Sequence, residues 1–405
     1  MPRSLKLFAP FAAALAIVGC NAGGAAGVPA TLDQSAAEAP SIPQWQAQHL
    51  ARRACPEARP GEVQCQALIL NKSAQPNVPG WGAGDIEAAY NLPSSSKGAG
   101  QIVAVVDAYD NPNVAKDLSK YRSHFGLPKA KFYKYNEDGQ QSNYPKGDAG
   151  WGVEIDLDVD MVSASCPNCT IYLVEANSND TSDTETAETE AVKLGAHIIS
   201  NSFECYGSLD CGDPNYADYF DTPGVTYVAA AGDEGYGAGA PMAFGSVVSV
   251  GGTVLSKNGS TYSEVVWPDT GGGCVAAIAK PSWQHDPGCP GRTANDVSAV
   301  ALDVTAYDSY GGYSGWGIFG GTSAATPIVA GAFALAGNGT KQDGGKTFWT
   351  LKAKKLQKDL HVISSGNDGC PPSLGGSYLC TAGTPQFGTY SGPTGWGTPN
   401  AVGAF

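Results

Sequence analysis

Glu154 and Asp158 lie four residues apart in the stretch Trp151 to Ser165, WGVEIDLDVDMVSAS. The stretch contains no Pro and only one Gly, Gly152, and its apolar residues recur at helical spacing, which predicts a helix. At about 100° per residue, Ile155, Leu157, Met161 and Val162 share one broad face. Asp156 and Asp160 turn away from that face, toward solvent. Glu154 and Asp158 land inside it, one turn apart and close enough to share a hydrogen bond. Carboxylates pressed into an apolar surface need a partner or a proton, and that suits them to proton transfer. A surface helix with an irregular apolar face would read the same way, so the pair needs a nucleophile to serve.

Gly320-Gly-Thr-Ser-Ala-Ala-Thr-Pro327 supplies one. It precedes an apolar run, and its small residues let backbone approach a ligand, with Pro tolerated in a first helical turn. Ser323 then sits at a helix N-terminus, where free amides and the dipole favour a developing oxyanion. Gly-Thr-Ser alone is an ordinary N-cap; the whole run followed by its helix resembles the subtilisin-like peptidases. The histidine base of that chemistry is missing. His49, His124, His197, His285 and His361 are the five histidines, and none has the expected surroundings. Glu154 fills the vacancy by taking the Ser323 proton, and Asp158 holds Glu154 in place.

With those residues in place the chain resembles the sedolisins, serine-carboxyl peptidases of subtilisin-like fold, from about residue 80 to the C-terminus. The resemblance rests on Val106-Asp-Ala-Tyr-Asp110, Gly152 to Asp158, Leu173-Val-Glu-Ala176, Ala231-Gly-Asp-Glu-Gly235, Val250-Gly-Gly-Thr253, Gly320 to Pro327 and Gly392 to Asn400. It implies catalysis by Ser323, Glu154 and Asp158, with Asp233 at the oxyanion. A carboxylate there would repel an oxyanion, so Asp233 helps only when protonated. An unperturbed Glu accepts a proton near pH ~4.3; both requirements imply operation in acid. Asp233 also sits in a good turn sequence, and a turn residue is the rival reading. Asp107, where subtilisins keep a catalytic Asp, is read as structural or electrostatic. Ser200, Asn201 and Ser202, with Phe203, end a strand beside the cleft and are candidates to line the substrate backbone. The resemblance also implies a calcium site near the C-terminus, but the two expected Asp positions read His361 and Ser391, poor hard-cation ligands. Asp359 or Asp368 would have to substitute, so no metal ligand is assigned.

These residues need elements to hold them. Strands are predicted at Gln101 to Asp107, Thr170 to Glu175, His197 to Phe203, Val225 to Ala231 and Ser246 to Thr253. Helices are predicted at Asn113 to Phe125, Trp151 to Ser165, Thr181 to Leu194 and from Thr322 through Pro327 to Ala336. Short apolar strands alternating with helices indicate an α/β fold, a doubly wound and mostly parallel sheet flanked by helices. One peptidase domain is expected over 81–405, preceded by a short segment, 46–80, with a disulfide of its own.

The beginning of the chain reads as a targeting signal. Arg3 and Lys6 precede the apolar run Leu7 to Val18, too short to span a bilayer. Ile17-Val18-Gly19-Cys20 resembles a bacterial lipobox, making 1–19 a lipoprotein signal peptide, Cys20 the acylated residue and 20–45 a flexible tether; an ordinary signal peptide cut elsewhere is the alternative. Eleven cysteines less Cys20 leave five neighbouring pairs: Cys55 with Cys65, Cys166 with Cys169, Cys205 with Cys211, Cys274 with Cys289 and Cys370 with Cys380. Local disulfides in an exported protein are the simplest pairing; a redox or metal CxxC at Cys166 is the rival. The formal net charge of −14 argues against nucleic-acid binding and against docking on anionic lipid. The expectation is a monomeric, extracytoplasmic, lipid-anchored endopeptidase acting on polypeptides in acid, without redox or nucleotide cofactor. A catalytically silent peptide-binding lipoprotein and a tripeptidyl exopeptidase are the alternatives.

Overall fold

The computed structural model describes residues 51–70, 80–205, 209–341 and 343–405; the leader, Cys20 and the tether lie outside the described residues. Three short strands come first, β1 (Ala51–Arg53), β2 (Val63–Cys65) and β3 (Leu68–Leu70), then helix α1 (Ala83–Ala89). The alternating part follows as β4 (Ile102–Ala108), α2 (Val114–His124), β5 (Lys131–Asn136), α3 (Ala149–Ser165), β6 (Thr170–Ala176), α4 (Thr181–Lys193) and β7 (Ile198–Asn201). Next come β8 (Phe203–Cys205), β9 (Thr226–Ala230), β10 (Val247–Asn258), β11 (Thr261–Val266), β12 (Gly273–Ala279), β13 (Gly291–Ala294), β14 (Val297–Val300), β15 (Val304–Asp308), β16 (Gly315–Gly320) and α5 (Thr322–Ala336).

The main sheet runs β11-β10-β9-β7-β4-β6-β5, with β14 on β10. All its pairs are parallel except the β10–β11 hairpin. Its strands are continuous apolar runs because both faces are covered. Val103 and Val105 of β4 join the core that holds α3 and α5. The alternate residues Ala104 and Val106 join the core on the opposite face, with Ala187 and Ala191 of α4. The chain leaves β4 toward β6 on one side and β7 on the other, so strand order reverses at β4. Ligands of such sheets bind at the carboxyl ends of the strands flanking the reversal. Asp107, Glu175 and Asn201 stand at those ends.

Helix α3 starts at Asp148, whose Oδ1 accepts the amides of Gly150 and Trp151 at 2.9 and 3.0 Å, as an N-cap should. It packs on α2, α5, β4 and β15 and is buried all round. Asp156 and Asp160 therefore correct the expectation of a solvated face, being as buried as Glu154 and Asp158. Asn111 donates to Asp156 at 2.7 Å, and the Tyr307 amide donates to Asp160 at 3.0 Å. Close approach of α3 and α5 depends on Gly331, where a Cβ would stand 2.0 Å from Ser165 Oγ. Pro327 is also placed differently from the expectation, since it lies inside α5 rather than in its first turn. It has no amide to give the Ser323 carbonyl four residues earlier.

All five neighbouring cysteine pairs form disulfides. The segment around Cys55 and Cys65 is woven into the domain: β1 and β3 extend the antiparallel β16–β15 pair, and β2 lies antiparallel on β8. Among the described residues no helix is long and apolar enough to cross a membrane.

Candidate active site

Helix α3 carries Glu154 and Asp158 into the space between the β4 end and the start of α5. Burial comes first among the causes that push the Glu154 carboxyl well up, followed by the nearby Asp158 charge; the Ser323 hydroxyl and Ala67 amide pull it back down. Neither Glu154 oxygen closes a hydrogen bond of ordinary geometry. Asp158 does not share a hydrogen bond with Glu154. Its Oδ1 accepts from Ser202 Oγ at 2.8 Å, while burial pushes its carboxyl up. Asp107 joins them, raised by burial and then by the charges of Asp158, Glu154 and Glu175. Three carboxyls so close in a dry site cannot all ionise, so they hold protons in common.

Ser323 is the second residue of α5, and such an amide has no intrahelical acceptor. Its hydroxyl lies 3.4 Å from the Ser202 carbonyl. Asp233, in the loop after β9, accepts the Thr322 amide and hydroxyl on Oδ1 at 2.8 and 2.9 Å. Burial pushes its carboxyl up to about 7, against the pull of those Thr322 donors, so it is neutral and a donor in acid. Gly321 has φ +100°, and a Cβ there would stand 2.6 Å from Asp233 Oδ2. Glycine satisfies both demands.

Of the residues expected along the substrate, Ser200 and Asn201 lie inside β7, which pairs with β4 and β9. Their backbone belongs to the sheet. Ser202 and β8 instead carry the edge beside the nucleophile, and that edge is covered by the chain's own residues 63–67. Val63 pairs with Cys205 and Cys65 with Phe203; Gln66 N donates to the Ser202 carbonyl at 3.1 Å. The side-chain amide of Gln66 faces Glu204, whose carboxyl burial pushes up to about 7. Beside Glu204 opens a cavity of ≈ 200 Å³, lined also by Ala231, Glu234, Tyr236 and Gly271. Gln66, Ala67 and Glu204 escaped the sequence reading; Phe203 beside Glu204 was the nearest signal.

At the calcium positions His361 is in a short strand and the Ser391 hydroxyl is 2.8 Å from that of Thr394. Asp359 is paired with Lys355 at 2.6 Å. Asp368 is buried, its carboxyl pushed well up by burial, and the cysteines near it are joined to each other. This donor set does not fit a hard cation.

The subtilase family model matches residues 145–357. The chain belongs to the subtilase family. Among these subtilases, kumamolisin from Bacillus sp. (strain MN-32) is 29% identical over 326 residues, covering 70% of this chain and 57% of kumamolisin. Xanthomonalisin from Xanthomonas sp. (strain T-22) is 29% identical over 164 residues, 33% of this chain and 19% of the relative. The chain thus spans little more than half the length of the first of these relatives. The structure of Pseudomonas sedolisin, a serine-carboxyl proteinase complexed with two molecules of pseudo-iodotyrostatin, superposes with a TM-score of 0.66 at 24% identity, covering 80% of this chain and 96% of that one. The subtilase fold is therefore established, and the similarities run to its sedolisin branch. The described histidines of this subtilase are engaged elsewhere: His124 stacks on Trp316, His197 meets the Gly224 carbonyl, His285 meets the Trp283 carbonyl and His361 pairs with Thr398.

Proposed function

We propose that this subtilase is an acid-acting serine endopeptidase of the sedolisin type. The observation that carries the reading is the approach of Ser323 and Asp233 to the buried Glu154 carboxyl, with none of the described histidines among them. Ser323 Oγ attacks the scissile carbonyl while its proton passes to Glu154. The tetrahedral oxyanion is held by the Ser323 amide and protonated Asp233. On collapse Glu154 returns the proton to the leaving nitrogen; a water then repeats the sequence on the acyl-enzyme, with Glu154 again as base. Asp158, anchored by Ser202, and Asp107 tune Glu154 through the shared protons. No step passes through calcium.

An internal cut suits the cleft better than tripeptidyl release. The strand lying on β8 continues beyond Val63 to Glu62, which bridges Asp180, so the amino side of the cleft is open past three residues. Polypeptides are the proposed substrates and a monomer the proposed state. An extracytoplasmic setting, with a lipid on Cys20, rests on the leader and on five disulfides suited to an oxidising compartment.

Hydrolysis of an unfolded protein from about pH 2 to 8, by wild type, Glu154→Gln and Ser323→Ala, tests the reading. Activity confined to acid and lost in both variants is expected. A folded wild type that hydrolyses nothing would leave a peptide-binding protein instead.

A further inference from the structure

Helix α3 has a face that the chemistry at Ser323 does not use. At about 100° per residue, Asp156 points away from Glu154 and Asp158. There it meets Asp117 of α2 and Asp308 of β15, and one carboxylate oxygen from each of the three lies within 4.8 Å of the others. All three residues are at most 1% exposed. Protein donors satisfy only part of this set. Asp117 accepts the Ser309 amide at 2.9 Å and the Ser309 hydroxyl at 2.8 and 2.9 Å. Asp156 Oδ2 accepts Asn111 at 2.7 Å, and Asp308 Oδ1 accepts the Tyr310 amide at 2.7 Å. Asp156 Oδ1 and Asp308 Oδ2 are buried with no hydrogen-bond donor. Among the described residues no basic side chain pairs with any of the three. Arg122, whose charge reaches Asp160 one turn along α3, gives its N–H groups to the Pro128 and Pro167 carbonyls and the Ser163 hydroxyl.

We propose that Asp117, Asp156 and Asp308 together bind a calcium ion. The donors are all carboxylate oxygens, the set that a hard cation takes. Their 4.8 Å limit of separation is twice a calcium–oxygen bond of about 2.4 Å, so one ion can touch all three. Held by both oxygens, three carboxylates offer up to about six ligands, the lower end of calcium's range of about 6–8. Magnesium suits the place less, because it gives up its waters reluctantly. The competing occupant is a proton. Asp156 stands near enough to Asp308 to share one, and burial, then the charges of Asp160, Asp308 and Asp117, push the Asp156 carboxyl well up. One proton offsets a single charge, whereas a divalent ion offsets two in a space that burial closes to water. The ion ties α3 to α2 and β15 from behind, and so steadies the helix that presents Glu154. This site lies apart from the C-terminal positions around Asp368 and takes no part in the reaction.

The test takes the full chain with Ser323→Ala, strips it with a chelator and titrates it with calcium chloride at about pH 7.5, where carboxylates compete best against protons. Equilibrium dialysis counts the ions bound, and circular dichroism follows both folding and the melting temperature. A melting temperature about 4 °C higher at a hundredfold excess over Kd is expected, with one calcium bound per chain. Both effects should vanish in Asp308→Asn and persist in Asp368→Asn. Should Asp308→Asn fail to fold, anomalous diffraction from crystals of the parent chain grown with manganese locates the ion directly. No calcium bound, or a melting temperature indifferent to it, overturns the site in favour of the shared proton. Binding kept in a folded Asp308→Asn, binding lost in a folded Asp368→Asn, or manganese away from the three carboxylates overturns it as well. None of these readouts depends on hydrolysis, so the peptidase reading is tested separately.

Discussion

Oδ1 of Asp233 accepts both the amide and the hydroxyl of Thr322, at 2.8 and 2.9 Å, which turns Oδ2 toward Gly321 and the Gln66 carbonyl. One oxygen is an anchor, and the other, on the Gly321 side, would present its proton to an oxyanion. Because the carboxyl titrates at about 7, that proton is present below neutrality and lost above it. Asp233→Asn keeps the anchor and donates at every pH. Its kcat/KM profile should extend beyond the alkaline limit of wild type, whereas Asp233→Ala should lose about 10²–10³ in kcat. An alkaline limb that Asp233→Asn leaves unmoved would assign the limit to another group.

Glu154→Gln keeps shape and removes the proposed base. Steady-state hydrolysis should fall by about 10²–10⁴, with KM for a peptide substrate little changed. If KM rises while kcat holds, Glu154 binds substrate rather than moving a proton.

The buried acids make stability depend on pH with a definite sign. Burial raises Asp233 and Glu204 to about 7 and Glu175 to about 9, while the same groups titrate near ~4 in the unfolded chain. Groups raised on folding stabilise fully below the unfolded value and lose that contribution as pH climbs through the folded one. The guanidinium midpoint of Ser323→Ala, which cannot digest itself, should therefore be highest near pH ~4 and fall between pH ~4 and ~9, most steeply below ~7. A midpoint that rises over that interval would contradict the burial of these carboxyls.

Glu204 faces the Gln66 side-chain amide and would touch a Cβ on Gly232 at 2.8 Å. Residues with N–H donors, such as Gln, Lys or Arg, should be preferred on the amino side of the cut. Glu204→Leu should cost these substrates up to about tenfold in kcat/KM, the worth of one buried hydrogen bond to a neutral carboxyl, and leave substrates with Leu there unharmed. A peptide library read by mass spectrometry would show an unchanged preference if Glu204 has no such role.

Gly331→Ala puts a methyl group 2.0 Å from Ser165 Oγ and forces α3 and α5 apart. Overpacking of this kind costs about 1–3 kcal/mol, and it also separates Glu154 from Ser323. Activity should fall further than the loss of folded protein measured by circular dichroism accounts for.

The gathering of Glu154, Asp158 and Ser323 in one place was legible because its signals are local: an i, i+4 pair in an apolar helix, and a small-residue run opening another. The parallel strands were legible as apolar runs for the same reason. Asp156 and Asp160 were misread because periodicity describes a helix with one covered side, and α3 is covered on every side. The strand expected from His197 to Phe203 divides in two, since after Asn201 the chain leaves the sheet and offers β8 to β2. That pairing joins residues far apart in the chain, and no spacing rule reports it; Gln66 therefore looked like an ordinary residue between a cysteine and an alanine. Strands β12 to β16 were missed because Gly and Ala in them dilute the alternation that marks a strand.

The ring closed by Cys55 and Cys65 ties strand β2, on β8, to the turn that follows β1, on β3. A foreign chain seeking the β8 edge would compete with a segment of the same molecule, present in one copy per enzyme and at high local concentration. Digestion would then be limited at low substrate concentration by displacement of that segment rather than by the chemistry at Ser323.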